Sequence, residues 1–112
     1  MTFRFLRLNG MTRSNRHAVI DRAKEAILAA GGWIMDFTLL SNALATLRFE
    51  VPDTGLWVLH AGLEAAGITL DADSRAALAA PPRGTDDLKG AVQVTFIHNE
   101  PDLRREIPAV PG

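Results

Sequence analysis

The stretch GGWIMDFTLLSNALATLRFEV, residues 31–51, decides the fold of this chain. It contains two apolar segments of strand-like composition, one on each side of Ser41 and Asn42. Serine and asparagine favour turns because their side chains bond to nearby backbone groups. Alternating apolar residues on both sides of such a turn are typical of paired strands. The stretch therefore predicts a β-hairpin.

Within each predicted strand, every second residue should face the core, because successive side chains of a strand point to opposite sides. Intervening residues such as Asp36, Arg48 and Glu50 should then line an open face of the sheet. The residues assigned to the core by this rule are Trp33, Met35, Phe37 and Leu39 in one strand and Ala45, Leu47 and Phe49 in the other.

Helical periodicity occurs on both sides of the hairpin. Residues 16–30 carry an apolar stripe about 120° wide, with Ser14 or Asn15 as the N-cap and Gly31 as the left-handed residue at the end. Residues 54–66 predict a second helix, capped by Asp53, with Leu56, Leu59, Leu63 and Ala66 on its stripe. Further apolar residues outside that stripe predict an oligomer interface on this helix, and they are Trp57, Val58, Ala61 and Ala65. The alternative for Trp57 is a lid over residues 71–90.

The remaining segments complete the pattern. Residues 3–8 predict a first strand, residues 9–15 a loop, and residues 91–98 a last strand with Val92, Val94 and Phe96 inward. Residues 68–70 can add a short strand. Residues 71–90 read as an insertion with a short helix capped by Asp73 or Ser74, and residues 99–112 as a proline-rich tail.

The order strand, helix, strand, strand, helix, strand predicts an α+β fold of the ferredoxin-like βαββαβ type. We expect a four-stranded antiparallel sheet with strands one and three in the middle and both helices on one face. The chain of 112 residues has the size of one domain, with its core in residues 1–98.

Composition excludes several classes of protein. The net charge of −1 gives no general attraction to nucleic acid or to an anionic membrane. The absence of cysteine excludes disulfides, thiolate metal sites and a cysteine nucleophile. No apolar run reaches the roughly 20 residues of a membrane helix, and the start does not resemble a signal peptide, so we expect a cytoplasmic protein.

The segment before the first helix is the strongest candidate for a binding site. Arg13 and Arg16 crowd the positive end of that helix, where an anion such as an amino-acid carboxylate would relieve their repulsion. The alternative is that both arginines are simply solvated. The candidate ligand-binding residues are Asn9, Gly10, Met11, Thr12, Arg13, Ser14, Asn15, Arg16 and, at the helix exit, Gly32.

Catalytic and metal sites are not predicted. The three histidines lie in separate elements, and His60 should be half-buried and hydrogen-bonded. Ser41 and Ser74 lie in turn and cap contexts, and no glycine-rich phosphate loop occurs. We therefore predict no catalytic residue, no metal and no cofactor.

The step Gly31-Gly32-Trp33-Ile34 and the ending AAGITL of the second helix resemble the ACT domain family. The resemblance implies a small, non-enzymatic regulatory domain that senses an amino acid or a similar small anion and works as a homo-oligomer. Residues 9–12 are the positions that match the family's ligand-binding loop. Acylphosphatases share the Gly-Trp step, but Met35 and Asp36 replace their catalytic asparagine. The alternative function is a structural or interaction module without a small ligand, whose open sheet or tail pairs with another chain.

Overall fold

A computed structural model describes residues 5–81 and 87–97 of the chain. The predicted tail lies outside the described residues. The elements, in chain order, are β1 (Phe5–Thr12), α1 (Arg16–Ala29), β2 (Trp33–Ser41), β3 (Leu44–Pro52), a single 3-10 turn (Asp53–Gly55), α2 (Leu56–Ala65), β4 (Thr69–Leu70), α3 (Ala72–Ala79) and β5 (Asp87–Phe96). The predicted α+β class is confirmed.

The sheet has five strands in the order β2-β3-β5-β1-β4. β5 runs parallel to β1 and antiparallel to β3. The prediction of four antiparallel strands with β1 beside β3 is therefore wrong, because β5 separates these two strands. The short β4 takes the place at the edge beside β1. β5 thus bonds to a neighbour along both of its edges, which makes it the central strand.

Both helices of the original pattern cover the same face of the sheet, as predicted. Val19 of α1 and Leu63 of α2 are fully buried in one cluster with Leu47, Phe49 and Val92 of the central strands. The intervening residues of β5, such as Gln93, are exposed on the opposite face. The inward residues assigned to β3 and to residues 91–98 are confirmed: Ala45, Leu47, Phe49, Val92, Val94 and Phe96.

The first helix begins and ends as its sequence predicts. Asn15 is the N-cap. At the other end Gly31 has φ of 89°, and its N–H bonds to the carbonyl of Leu28 at 3.0 Å while the N–H of Gly32 bonds to Ile27 at 2.9 Å. This pair of bonds is a Schellman motif, which satisfies carbonyls that the helix leaves free.

Several predicted boundaries are wrong because tertiary pairing overrides local preference. Residues 9–12 belong to β1, since their backbone groups bond to β5 and β4. Asp53 lies buried in the 3-10 turn, and Gly55 precedes α2 without a side-chain cap. The cap of α3 is Asp71 and not Asp73 or Ser74, and the last strand begins at Asp87.

The predicted core face of β2 is wrong in its burial, and its orientation is correct only at Phe37 and Leu39. Ile34 lies opposite Phe49, but the register then shifts so that Met35 has no directly opposite residue on β3. Trp33 pairs with Glu50 and therefore faces the open side of the sheet. Phe37 keeps the helix-side orientation that was predicted, yet it is 39% exposed because β2 lies at the margin of the helical layer.

Gly90 provides a direct test of the position of β5. It lies opposite Leu6 on one side and Phe49 on the other, and an added Cβ would come within 2.8 Å of the Phe49 ring and 2.9 Å of the Leu6 carbonyl. We expect Gly90→Ala to lower the free energy of unfolding by about 1–3 kcal/mol, as overpacking does in a dense core. Urea unfolding measures this change.

The matched control is Ala91→Val, which adds methyl groups on the open face of the same strand. It should change stability by less than about 0.5 kcal/mol, as surface substitutions usually do. Equal effects of the two substitutions would contradict the placement of β5 between β1 and β3.

Candidate functional site

The segment between β1 and α1 was the predicted anion site, and local hydrogen bonds occupy several of the donors in and beside it. The Asn15 side chain accepts the N–H groups of His17 and Ala18 at 3.0 and 3.1 Å. The N–H of Ser14 bonds to the hydroxyl of Thr12, which is buried. Two of the N–H groups that a helix start can offer to an anion are therefore already satisfied by the N-cap.

Arg16 also has an internal role. Its guanidinium donates to the backbone carbonyl of Asn42 at 3.4 Å and to the side-chain oxygen of Asn42 at 3.3 Å. These bonds connect the start of α1 to the turn between β2 and β3. Arg13, by contrast, is exposed and forms no ion pair within the described residues. Of Arg13 and Arg16, only Arg13 is exposed to solvent without a hydrogen bond from its side chain to another described residue.

The structure does not bring the predicted ligand residues together. Asn9, Gly10, Met11 and Thr12 lie inside a paired strand and do not form a loop. Gly32 lies beyond the far end of α1, whose 14 residues span about 21 Å at the usual rise. A side chain at Gly32 would collide with the backbone carbonyl of Glu50, so this glycine permits close packing of the hairpin. The anion-binding hypothesis remains a prediction.

The exposed margin of β2 is a second candidate site. Within the described residues β2 pairs with β3 alone, so its other edge carries free backbone groups. Six of its nine residues are apolar, and Asp36 is its single charge. We call this surface the β2 edge, and its exposed apolar residues are Trp33 (43%), Met35 (47%), Phe37 (39%), Leu39 (46%) and Leu40 (57%).

Helix α1 borders the β2 edge without covering it. The ammonium group of Lys24 lies 5.2 Å from the centre of the Phe37 ring, a distance typical of a cation–π contact. Leu28, one helical turn further along α1, is 57% exposed. On the open face the carboxylate of Asp36 pairs with Arg48 at 3.0 Å. The one charge of β2 is thus neutralised by its own sheet.

The chain itself covers part of the opposite edge of the sheet. β4 pairs with Gly10 and Met11 of β1, and the start of α3 bonds to the preceding residue, Asn9. Residues 5–8 have no strand partner on this side among the described residues. Asn9 donates its N–H to the hydroxyl of Ser74 at 2.7 Å, and its carbonyl accepts the N–H of Asp71 at 2.9 Å. At Asn9 these bonds satisfy the backbone groups that a longer edge strand would pair.

Helix α2 presents a smaller apolar surface. Trp57 is 80% exposed and Val58 is 39% exposed, and Ala61 and Ala65 are exposed beside them. Their exposure agrees with the sequence pattern, whereas an interface at this surface remains a prediction. His60 is half-buried, as expected, and lies 3.2 Å from the carboxylate of Glu64.

The described part of the chain contains no cluster of potential metal ligands. No group of three or more His, Cys, Asp or Glu residues is placed to hold a metal ion among the residues that the structure describes. None of the described helices has the length and apolar character needed to cross a membrane. The chain gives no match to family models, to curated proteins or to solved structures.

The role of the α3 start can be tested with Ser74→Ala. Ser74 is 1% exposed, so the substitution leaves the partly buried Asn9 N–H without its partner. We expect the free energy of unfolding to fall by about 1–3 kcal/mol. Thr54→Ala, at an exposed position of the 3-10 turn, is the control and should be nearly neutral. No difference between the two variants in urea unfolding would contradict this role.

A pH test addresses the same cap. The side-chain hydroxyl and the backbone N–H of Ser74 lower the pKa of Asp71 below its ordinary value of 3.8. A carboxylate with a lowered pKa stabilises the folded state above its unfolded pKa, and this contribution is lost as the pH falls through the folded pKa. Asp71→Asn keeps the cap but cannot titrate. We therefore expect the variant to lose less stability than the parent protein below pH 3.8, measured as the urea midpoint against pH.

Proposed function

We propose that the protein is a non-enzymatic, cytoplasmic assembly module that works as a homo-oligomer and uses a sheet edge to bind another chain. The observation that carries this proposal is the β2 edge, a nine-residue strand with one charge and five exposed apolar side chains. Monomeric proteins usually protect such edges with lysine, proline, very short strands or a covering element. Strand addition is the interaction that an open edge favours.

The size of the apolar surface supports an association of moderate strength. Fully burying one large apolar side chain contributes about 1.5–3 kcal/mol. The five side chains are about half exposed, so covering them gives on the order of 4–7 kcal/mol per chain. Two such edges give on the order of 8–15 kcal/mol, against an association cost of about 4–15 kcal/mol. Assembly should therefore depend visibly on protein concentration.

A second candidate is the ACT-like sensor. Without β5, the strand order would be β2-β3-β1-β4 with α1 and α2 on one face, which is the ferredoxin-like arrangement. Arg13 supports this candidate, because it is exposed at the start of α1 and could meet an anion. The N–H groups of His17 and Ala18 are bonded to Asn15 and the Arg16 guanidinium is bonded to Asn42, which favours the assembly module. An acylphosphatase-like enzyme is the weakest reading, since Asp36 would repel an acyl phosphate.

The midpoint of thermal unfolding separates the two candidates. For an assembly module, the midpoint should rise with the concentration of the protein itself and stay constant when amino acids, phosphate or citrate are added. A sensor should instead gain about 2.7 kcal/mol of stability when its ligand is present at 100 times Kd. A midpoint that does not change with protein concentration, together with a single 12.1 kDa species in sedimentation, would overturn the proposal.

A further inference from the structure

We propose that the occupant of the β2 edge is the β2 edge of a second copy, antiparallel across a two-fold axis that passes beside Thr38. This inference rests on the proposed assembly function and specifies its geometry. The two five-stranded sheets would then join into one continuous sheet of ten strands. The arguments are the composition of β2, the register that its side chains allow, and the charges on the adjacent helix.

The composition of β2 suits a copy of itself. Its nine residues contain no lysine, arginine, proline or glycine that would hinder pairing at an edge. Asp36 needs no charge from the second copy, because Arg48 of its own sheet already pairs with it at 3.0 Å. On the other edge, β4 and the start of α3 bond to Asn9, Gly10 and Met11 of β1. With nine residues, β2 is the longer stretch of edge that has no strand partner among the described residues.

Side-chain orientation restricts the register of the pair. In antiparallel pairing, residues directly opposite each other point to the same face of the sheet. A register centred on Thr38 obeys this rule between the two irregularities of β2. It places Phe37 of each copy opposite Leu39 of the other, so that two such pairs form on the helix side. A register centred on Asp36 would place two carboxylates directly opposite each other, which is destabilising.

The charges of α1 favour the same centre. Lys24 lies over Phe37, and α1 runs antiparallel to β2 because only Ala30, Gly31 and Gly32 connect them. The step from Phe37 to Thr38 advances about 3.3 Å along the strand, which is about the rise of two residues along a helix. The axis therefore crosses the level of α1 near residue 22. Asp21 of one copy then comes to the level of Lys24 of the other, so the two outer margins carry complementary charges.

Cysteine cross-linking tests this geometry, and the natural chain contains no cysteine that could interfere. In Thr38→Cys, the two sulfur-bearing residues would be direct neighbours, with Cβ atoms about 4.5–5.5 Å apart. The matched control is Thr46→Cys. Thr46 lies opposite Thr38 on β3 and faces the same side. Two copies of Thr46 would be separated by three strand spacings, about 14 Å, which is too far for a disulfide.

The expected result is a covalent dimer for Thr38→Cys under mild oxidation, formed at protein concentrations where the parent protein self-associates, and no dimer above background for Thr46→Cys. A noncovalent test uses Leu39→Lys, which should weaken self-association at least tenfold in sedimentation. Trp57→Lys, an exposed apolar residue on α2, is its control and should leave self-association unchanged.

The possible failures are distinguishable. Self-association that is lost in Leu39→Lys, with no covalent dimer of Thr38→Cys, would overturn this register and keep the sheet-edge assembly. Self-association that persists in Leu39→Lys but is lost in Trp57→Lys would overturn both and place the interface on α2. A monomer whose β2 amides exchange slowly with solvent would show that another part of the same chain covers the edge, and this result overturns both. A monomer with fast exchange along β2 also overturns both.

Discussion

Backbone pairing on both sides of β5 is the constraint on which the rest of the structure depends. β5 pairs with β1 along the whole length of β1 and with β3 along the whole length of β3. Gly90 makes this possible, because the Phe49 ring and the Leu6 backbone occupy the space of a side chain. The extra strand widens the sheet. Two helices, each about 10 Å across, cover about four strands spaced 4.8 Å apart, so a fifth strand lies at the margin.

The exposure of β2 follows from that width. The helical layer is anchored over the central strands by Val19 and Leu63, and α3 extends it towards β1 and β4. No described element extends the helical layer over β2 in the way that α3 extends it over β1. Phe37 and Leu39 therefore have the orientation of core residues without the burial of core residues. The two edges differ accordingly, since β4 and the start of α3 cover part of one and the other presents apolar side chains.

The predicted anion site shows how local contacts can occupy the groups on which a functional hypothesis depends. The cap by Asn15 and the bonds from Arg16 to Asn42 follow from ordinary preferences of these residue types. Their consequence is mechanical, because the bonds from Arg16 fix the start of α1 to the turn between β2 and β3. The alternating pattern did not reveal the β2 edge, because it assigned one face of β2 to the core. The sequence signal for this edge is a strand that carries apolar residues on both of its faces and a single charge. A sheet with helices on one face cannot bury both sets of side chains.

The sequence by itself determined the helices, the hairpin and the inward faces of β3 and β5, because these depend on periodicity and on capping by neighbours such as Asn15 and Gly31. Only the tertiary structure decided that residues 9–12 form a strand, that β5 lies between β1 and β3, and that β2 is exposed. The physical reason is that strand order and helix coverage are set by contacts between residues far apart in the chain. The local preferences of residues for helix or strand do not determine which edge of the sheet remains without a partner strand.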